Sequence, residues 1–261
     1  MSRFRDLALK EMGLTPLWVP RQAAAALPEV SHAVLPLAEV LPVPAALVAA
    51  PLAQRRQSVP HLPLHLLTHD ALRDAVAACT QCGLCDSRRQ TVFGSGPLPV
   101  PWMFVGDGPG EGDEDEGRPF TGVPGRLLDN MLAELDLRRG RDVYVSNAVK
   151  CRTPGTGRPE ASSVLACRDW LMREIALVQP RLIVALGAVA AQLLLDTDAP
   201  VGSLRGQVHR RVFDGRAVDI VVTWHPAYVL RKLSEKARSW DDLCLARELL
   251  SGTSVAQTLP V

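Results

Sequence analysis

The stretch Arg181 to Leu195, RLIVALGAVAAQLLL, decides the fold. RLIVALG is a short, unbroken apolar run ended by a glycine, the pattern of a strand covered on both faces, and AVAAQLLL after it reads as a helix. The same alternation extends outward on both sides. WMFVGD (Trp102 to Asp107) precedes GRLLDNMLAELDL (Gly125 to Leu137), which has helical spacing at Leu127, Leu128, Met131, Leu132 and Leu135. VYVSNAV (Val143 to Val149) precedes a helix over Ala161 to Val178, and VDIVVTWHP (Val218 to Pro226) precedes one around Arg238 to Leu250. Four strand-then-helix units predict an α/β domain with a central, mainly parallel four-stranded sheet and helices on both faces. In such sheets ligands bind at the carboxyl ends of the strands, so the loops after Val105, Val145, Leu186 and Val222 hold the site.

Upstream the chain changes character. Residues 1–63 hold 9 of the 21 prolines but only one of the 19 glycines, Gly13. Each proline removes a backbone donor, so long helices and central strands are excluded there. The expectation is a Pro/Ala-rich, partly ordered extension over 1–68, a domain over 69–252 and a tail over 253–261. The opening positions Phe4, Leu7, Ala8, Met12, Leu14, Leu17 and Trp18 could form an amphipathic turn or two, packed on the domain or on a protein partner. A helix over Asp70 to Ala78, capped by Asp70, leads into Cys79.

With 47% hydrophobic and 22% charged residues among 261, the chain can bury a full core, which excludes general disorder. The longest charge-free apolar stretches, Leu41 to Ala53 and Leu182 to Leu195, fall short of a membrane span. The opening MSRFRDLALKEM lacks the apolar run of a signal peptide, so the expectation is a reducing cytoplasm.

Of the six cysteines, Cys79 and Cys82 form a C-x2-C pair and Cys151 and Cys167 follow far downstream. That arrangement is typical of a four-thiolate metal site, and both zinc and an iron-sulfur cluster fit it. Cys79, Cys82 and Cys85 superficially resemble a ferredoxin run, but Arg89 occupies its fourth position and no Cys-Pro follows. Cys85 and Cys244 read as unligated.

The loop after the first strand is GDGPGEGDEDEGRPFTG (Gly106 to Gly122). Gly106, Gly108 and Gly110 miss the dinucleotide fingerprint by one place. Glu111, Asp113, Glu114, Asp115 and Glu116 would repel phosphate in any case. A nucleotide phosphate is therefore excluded here.

This loop, the strand ending SNAVKCRTP, the C-x2-C before TVFGSG, the run LIVALGAVAA and the later WHPAYVLR together resemble the family 4 uracil-DNA glycosylases, the iron-sulfur group of that superfamily. The resemblance covers roughly Cys79 to Leu250. It implies a three-layer α/β/α sandwich and a structural [4Fe-4S] cluster on Cys79, Cys82, Cys151 and Cys167. The implied activity is removal of uracil from single- or double-stranded DNA by base flipping, without cutting the backbone.

Phe120 matches the family's aromatic that stacks on the flipped base, and Asn147 its base-reading amide, which can accept from uracil N3–H and donate to O4. Backbone N–H groups around Gly108 and Gly110 can approach the base closely, and His225 could hydrogen-bond O2 where negative charge builds. For orienting the water, Asp113 ranks first and Asp107 second; the family carries Glu at the Asp107 position and commonly at Asp113. Tyr228, Leu230 and Arg231 supply an apolar wedge and a phosphate contact. Further expectations are a monomer in a prokaryote-type cytoplasm, associated with the nucleoid.

The net charge of +1 conceals a local asymmetry. Residues 111–116 carry five acids and no base, whereas 200–240 carry eight Lys and Arg against three acids, a segment read as DNA-facing. The competing expectations are a zinc or iron-sulfur DNA-binding or sensor module without excision activity, and a small-molecule α/β enzyme with an electron-transfer cluster.

Overall fold

The structure, a computed structural model, describes residues 63–155 and 158–252; the amphipathic opening, most of the Pro/Ala-rich extension and the tail 253–261 lie outside the described residues. Helix α1 spans His69–Ala77. Its cap is Thr68, whose hydroxyl accepts from the Ala71 N–H, and Asp70 instead lies in the first turn, where a carboxylate complements the helix dipole.

The sheet has five strands, not four: β1 (Trp102–Gly106), β2 (Val143–Asn147), β3 (Leu182–Leu186), β4 (Val208–Phe213) and β5 (Arg216–Thr223), in the spatial order β2-β1-β3-β5-β4. All neighbours are parallel except β4, which pairs antiparallel with β5. The additional strand, VHRRVF, is polar and mostly exposed and so lacks the apolar run that marks the others. Its signature is the Asp214-Gly215 turn, with φ of 47° and 75°, the left-handed pair that a two-residue hairpin needs.

Helices α2 (Glu111–Glu116), α3 (Val123–Ala133), α4 (Ala161–Val178), α5 (Ala188–Leu195), α6 (Val201–Leu204), α7 (Pro226–Arg231) and α8 (Lys236–Ser251) complete the described α-helices. Strand alternation divides the core into two layers. Met103, Val105, Ile183, Ala185 and Ile220 face α4, α5 and α6, whereas Trp102, Phe104, Val145, Leu182 and Val184 face α3 and α8. Every residue of β1, β2 and β3 is buried, which explains the unbroken apolar runs of β1 and β3; each buried Leu, Ile or Val contributes about 1.5–3 kcal/mol. The result is the three-layer α/β/α sandwich.

The helices that follow β1 and β3 pack on opposite faces, although those strands are neighbours. Their carboxyl ends therefore form a topological switch point, where a crevice opens.

Candidate active site and cysteine cavity

At that crevice Asp107 follows β1 and Gly187 follows β3. Gly187 has φ of +109°, and a Cβ there would run into the Asp107 carboxylate, so only glycine lets the two loops meet. Asp107 Oδ1 accepts from the Ala190 N–H, in the first turn of α5, at 2.9 Å. Burial pushes the Asp107 carboxyl above its ordinary value, opposed by His225 and by the N–H groups of Ala190 and Val189.

His225 is the N-cap of α7, and its Nδ1 accepts from the Ala227 N–H at 3.1 Å. The neutral ring must then carry its proton on Nε2. Burial lowers the His225 pKa, against the pull of Asp107 and Asp113. The Phe120 ring stacks on the imidazole, with centroids 5.3 Å apart and planes at 24°. Phe120 has φ of 57°, left-handed for a residue with a Cβ.

Asn147 ends β2 in register with Gly106, and no Cβ would fit at Gly106 between the Asn147 amide and the Phe120 ring. Asn147 is buried, and neither its Oδ1 nor its Nδ2 has a hydrogen-bond partner. Asp107, Gly108, Gly110, Asp113, Phe120, His225, Tyr228 and Arg231 line a cavity of about 700 Å3 together with Arg152, Arg158 and Trp224; Asn147 is not among its lining residues, although Phe120 beside it is.

Asp113 is committed elsewhere. Its carboxylate accepts from the N–H of Gly110 (3.0 Å) and from both the N–H and the hydroxyl of Thr121 (2.7 and 3.0 Å). It thereby caps α2, which forms where the sequence suggested only a loop, and it occupies the Gly110 N–H. Glu114 is also internal, paired with Arg89 and Arg152, whereas Asp115 and Glu116 are exposed. The WHPAYVLR segment is likewise helical: Tyr228 stacks on Trp224, Leu230 is 38% exposed, and Arg231 has no ion pair among the described residues.

The basic surplus of 200–240 is not one patch. Arg205, Arg210, Lys232 and Arg238 pair with Asp242, Asp219 and Glu235. Arg216 opens β5 at the end of the sheet away from the crevice, which leaves Arg231 as the cation of that segment on the cavity wall.

Cys79, Cys82, Cys151 and Cys167 line a second, small cavity of about 10 Å3, and Cys85 lines it too. Arg88 donates to Cys151 Sγ at 3.2 Å, and burial pushes the Cys167 thiol up to about 11. Among the described residues, no three or more His, Cys, Asp or Glu are gathered to hold one metal ion.

Between the two cavities sits a polar hub that the sequence did not reveal. Glu174 of α4 accepts from the Gly94 N–H (3.1 Å), Tyr144 Oη (3.0 Å), Ser146 Oγ and Lys150 Nζ. Lys150 Nζ also donates to the Asn147 carbonyl at 2.8 Å. Partners this far apart in the chain leave no local spacing to read.

Residues 93–244 match the family model described as the uracil DNA glycosylase superfamily. The chain is similar to a type-4 uracil-DNA glycosylase of Pyrobaculum aerophilum, 35% identical over 67% of this chain and 90% of that protein. It is also similar to one of Thermotoga maritima, 38% identical over 65% and 86%. A type-5 uracil-DNA glycosylase of Pyrobaculum aerophilum is 30% identical over 61% and 82%.

Proposed function

Since the chain belongs to the uracil-DNA glycosylase superfamily, and is similar to type-4 members, we propose that it is a DNA repair enzyme that hydrolyses the N-glycosidic bond of uracil in DNA. The base is flipped out of the stack and released, leaving an abasic site for base excision repair. Relatives named as glycosylases weigh against a non-excising binding module.

The observation that supports this reading most directly is the buried, unpartnered amide of Asn147 beside the Phe120 ring. An unsatisfied buried amide costs about 1–3 kcal/mol, and uracil's N3–H and O4 supply the complementary pair. Phe120 offers the face on which the base stacks. His225, its proton on Nε2, donates to O2 as the leaving uracil gains negative charge. Asp107 opposes the positive charge that grows on the sugar and orients the water. It takes precedence over Asp113, whose carboxylate already accepts three hydrogen bonds from Gly110 and Thr121. Leu230 fills the gap in the duplex and Arg231 meets a phosphate.

The cysteines suit a [4Fe-4S] cluster. Cys79, Cys82, Cys151 and Cys167 line one cavity, and four thiolates are the ligand set such a cluster takes. Cys79, Cys82, Cys151 and Cys167 would hold it, and bound there it would tie the segment after α1 to the loop after β2 and to α4. Residues 69–252 form the catalytic domain in this reading, acting as a monomer in the cytoplasm close to the nucleoid, and the extension would be the segment that engages a protein partner. Among the described residues, no helix is long and apolar enough to cross a membrane.

Excision from a uracil-containing oligonucleotide tests the reading. The parent protein should release uracil, and Asn147→Ala and His225→Ala should each be slower by about 10²–10³-fold. Variants as fast as the parent would overturn the site assignment, and an inactive parent would overturn the function.

A further inference from the structure

Phe120 holds a left-handed backbone that a residue with a Cβ rarely adopts, so something outside the loop must fix it. The answer is a residue from the turn before β2. Arg139 Nη1 donates to the Pro119 carbonyl at 2.8 Å, and Nη2 donates to the carbonyls of Phe120 at 2.9 Å and Gly125 at 3.3 Å. Its Nε pairs with Asp129 of α3. One planar guanidinium thus stitches three carbonyls on either side of the aromatic residue and anchors them to a helix, a pattern a lysine ammonium cannot reproduce. From the other side Gly125 supports the same carbonyl, since a Cβ there would overlap the Phe120 backbone.

We propose that Arg139 is a positioning residue for base capture: by locking the 119–125 loop it holds the Phe120 ring at the angle and depth where a flipped uracil stacks. This rests on the reading that Phe120 stacks on the base. Arg139 itself need not touch DNA; its effect runs through the ring.

A double-mutant cycle with Arg139→Lys and Phe120→Ala, made in the full chain, separates this role from general support of the fold. Arg139→Lys should lower kcat/KM on a uracil oligonucleotide by about tenfold or more, as expected for a misplaced binding group, and weaken inhibition by free uracil by a similar factor. In the Phe120→Ala background the same substitution should change either quantity by less than about twofold, because the ring it positions is gone. An equal loss in both backgrounds, or no loss in the parent, would overturn the proposal. Should Arg139→Lys fail to fold, Asp129→Asn, which frees only the Nε anchor, takes its place in the cycle. If Phe120→Ala alone is as fast as the parent, the stacking reading fails and the proposal falls with it; an impaired Phe120→Ala with additive Arg139 losses leaves that reading intact and removes only the role of Arg139.

Discussion

Lys150 and Glu174 form an ion pair shut away from water, their side chains 1% and 0% exposed. Removing one partner strands the other charge, so Lys150→Met should destabilise the protein by about 3–5 kcal/mol. Lys150→Met combined with Glu174→Leu should recover part of that loss, because no uncompensated charge remains. Denaturant melts of the single and double variants check this; a double variant no more stable than Lys150→Met would contradict it.

The pH dependence of excision follows from the opposed shifts of Asp107 and His225. Asp107 acts as the carboxylate, and burial raises its pKa from 3.8, so its protonation begins at a higher pH than for a free aspartate. His225 acts as the neutral ring, and burial lowers its pKa from 6.5, so its protonation is postponed to lower pH. The acid limb of the rate, a property of the coupled pair, should therefore lie above the pH at which a free aspartate titrates. Asp107→Asn removes the anion that pulls the histidine upward, so the residual activity should keep its limb at a lower pH than the parent. A parent limb centred at or below pH 3.8 would refute this assignment.

On the proposed cluster, Cys79→Ala and Cys151→Ala should lower soluble yield and remove the brown visible absorption that a [4Fe-4S] centre would give, while the fraction that folds keeps its chemistry. Absorption spectra, yield and single-turnover rates read the three effects separately. A colourless variant of full stability would show that the cluster has no structural role.

Arg231→Ala should weaken binding to uracil-containing and undamaged DNA by similar factors and reduce the slope of log K against log salt by about 1, as the loss of one phosphate contact requires. Fluorescence anisotropy across a salt series measures both. A variant with lost uracil preference but an unchanged slope would instead mark Arg231 as a reader of the base.

What was legible in the sequence follows what is local. Leu182–Leu186 announces a strand because both of its faces are covered. VHRRVF has one face in water and carries no apolar signal, so β4 was missed, although Asp214-Gly215 marked its hairpin. Motif order brought Phe120, Asn147 and His225 to one crevice. Spacing could not reveal that Asp113 spends its oxygens on Gly110 and Thr121, or that Arg139 and Glu174 reach loops far along the chain. Hydrogen bonds between distant segments exist only once the fold does.

The β4 hairpin also bears on how the protein behaves in a concentrated solution. Without β4, the sheet would end at β5, whose second half, Ile220–Thr223, is fully buried; its unpaired N–H and C=O groups would offer a ready template to another molecule. β4 turns that border into Arg210, Arg211 and other exposed side chains, while at the opposite border Ser95 pairs with Val145 of β2. Both borders of the sheet are thus blunted against strand addition, so concentrated preparations should resist clumping, and trimming the 208–215 hairpin to make a smaller enzyme would sacrifice that resistance.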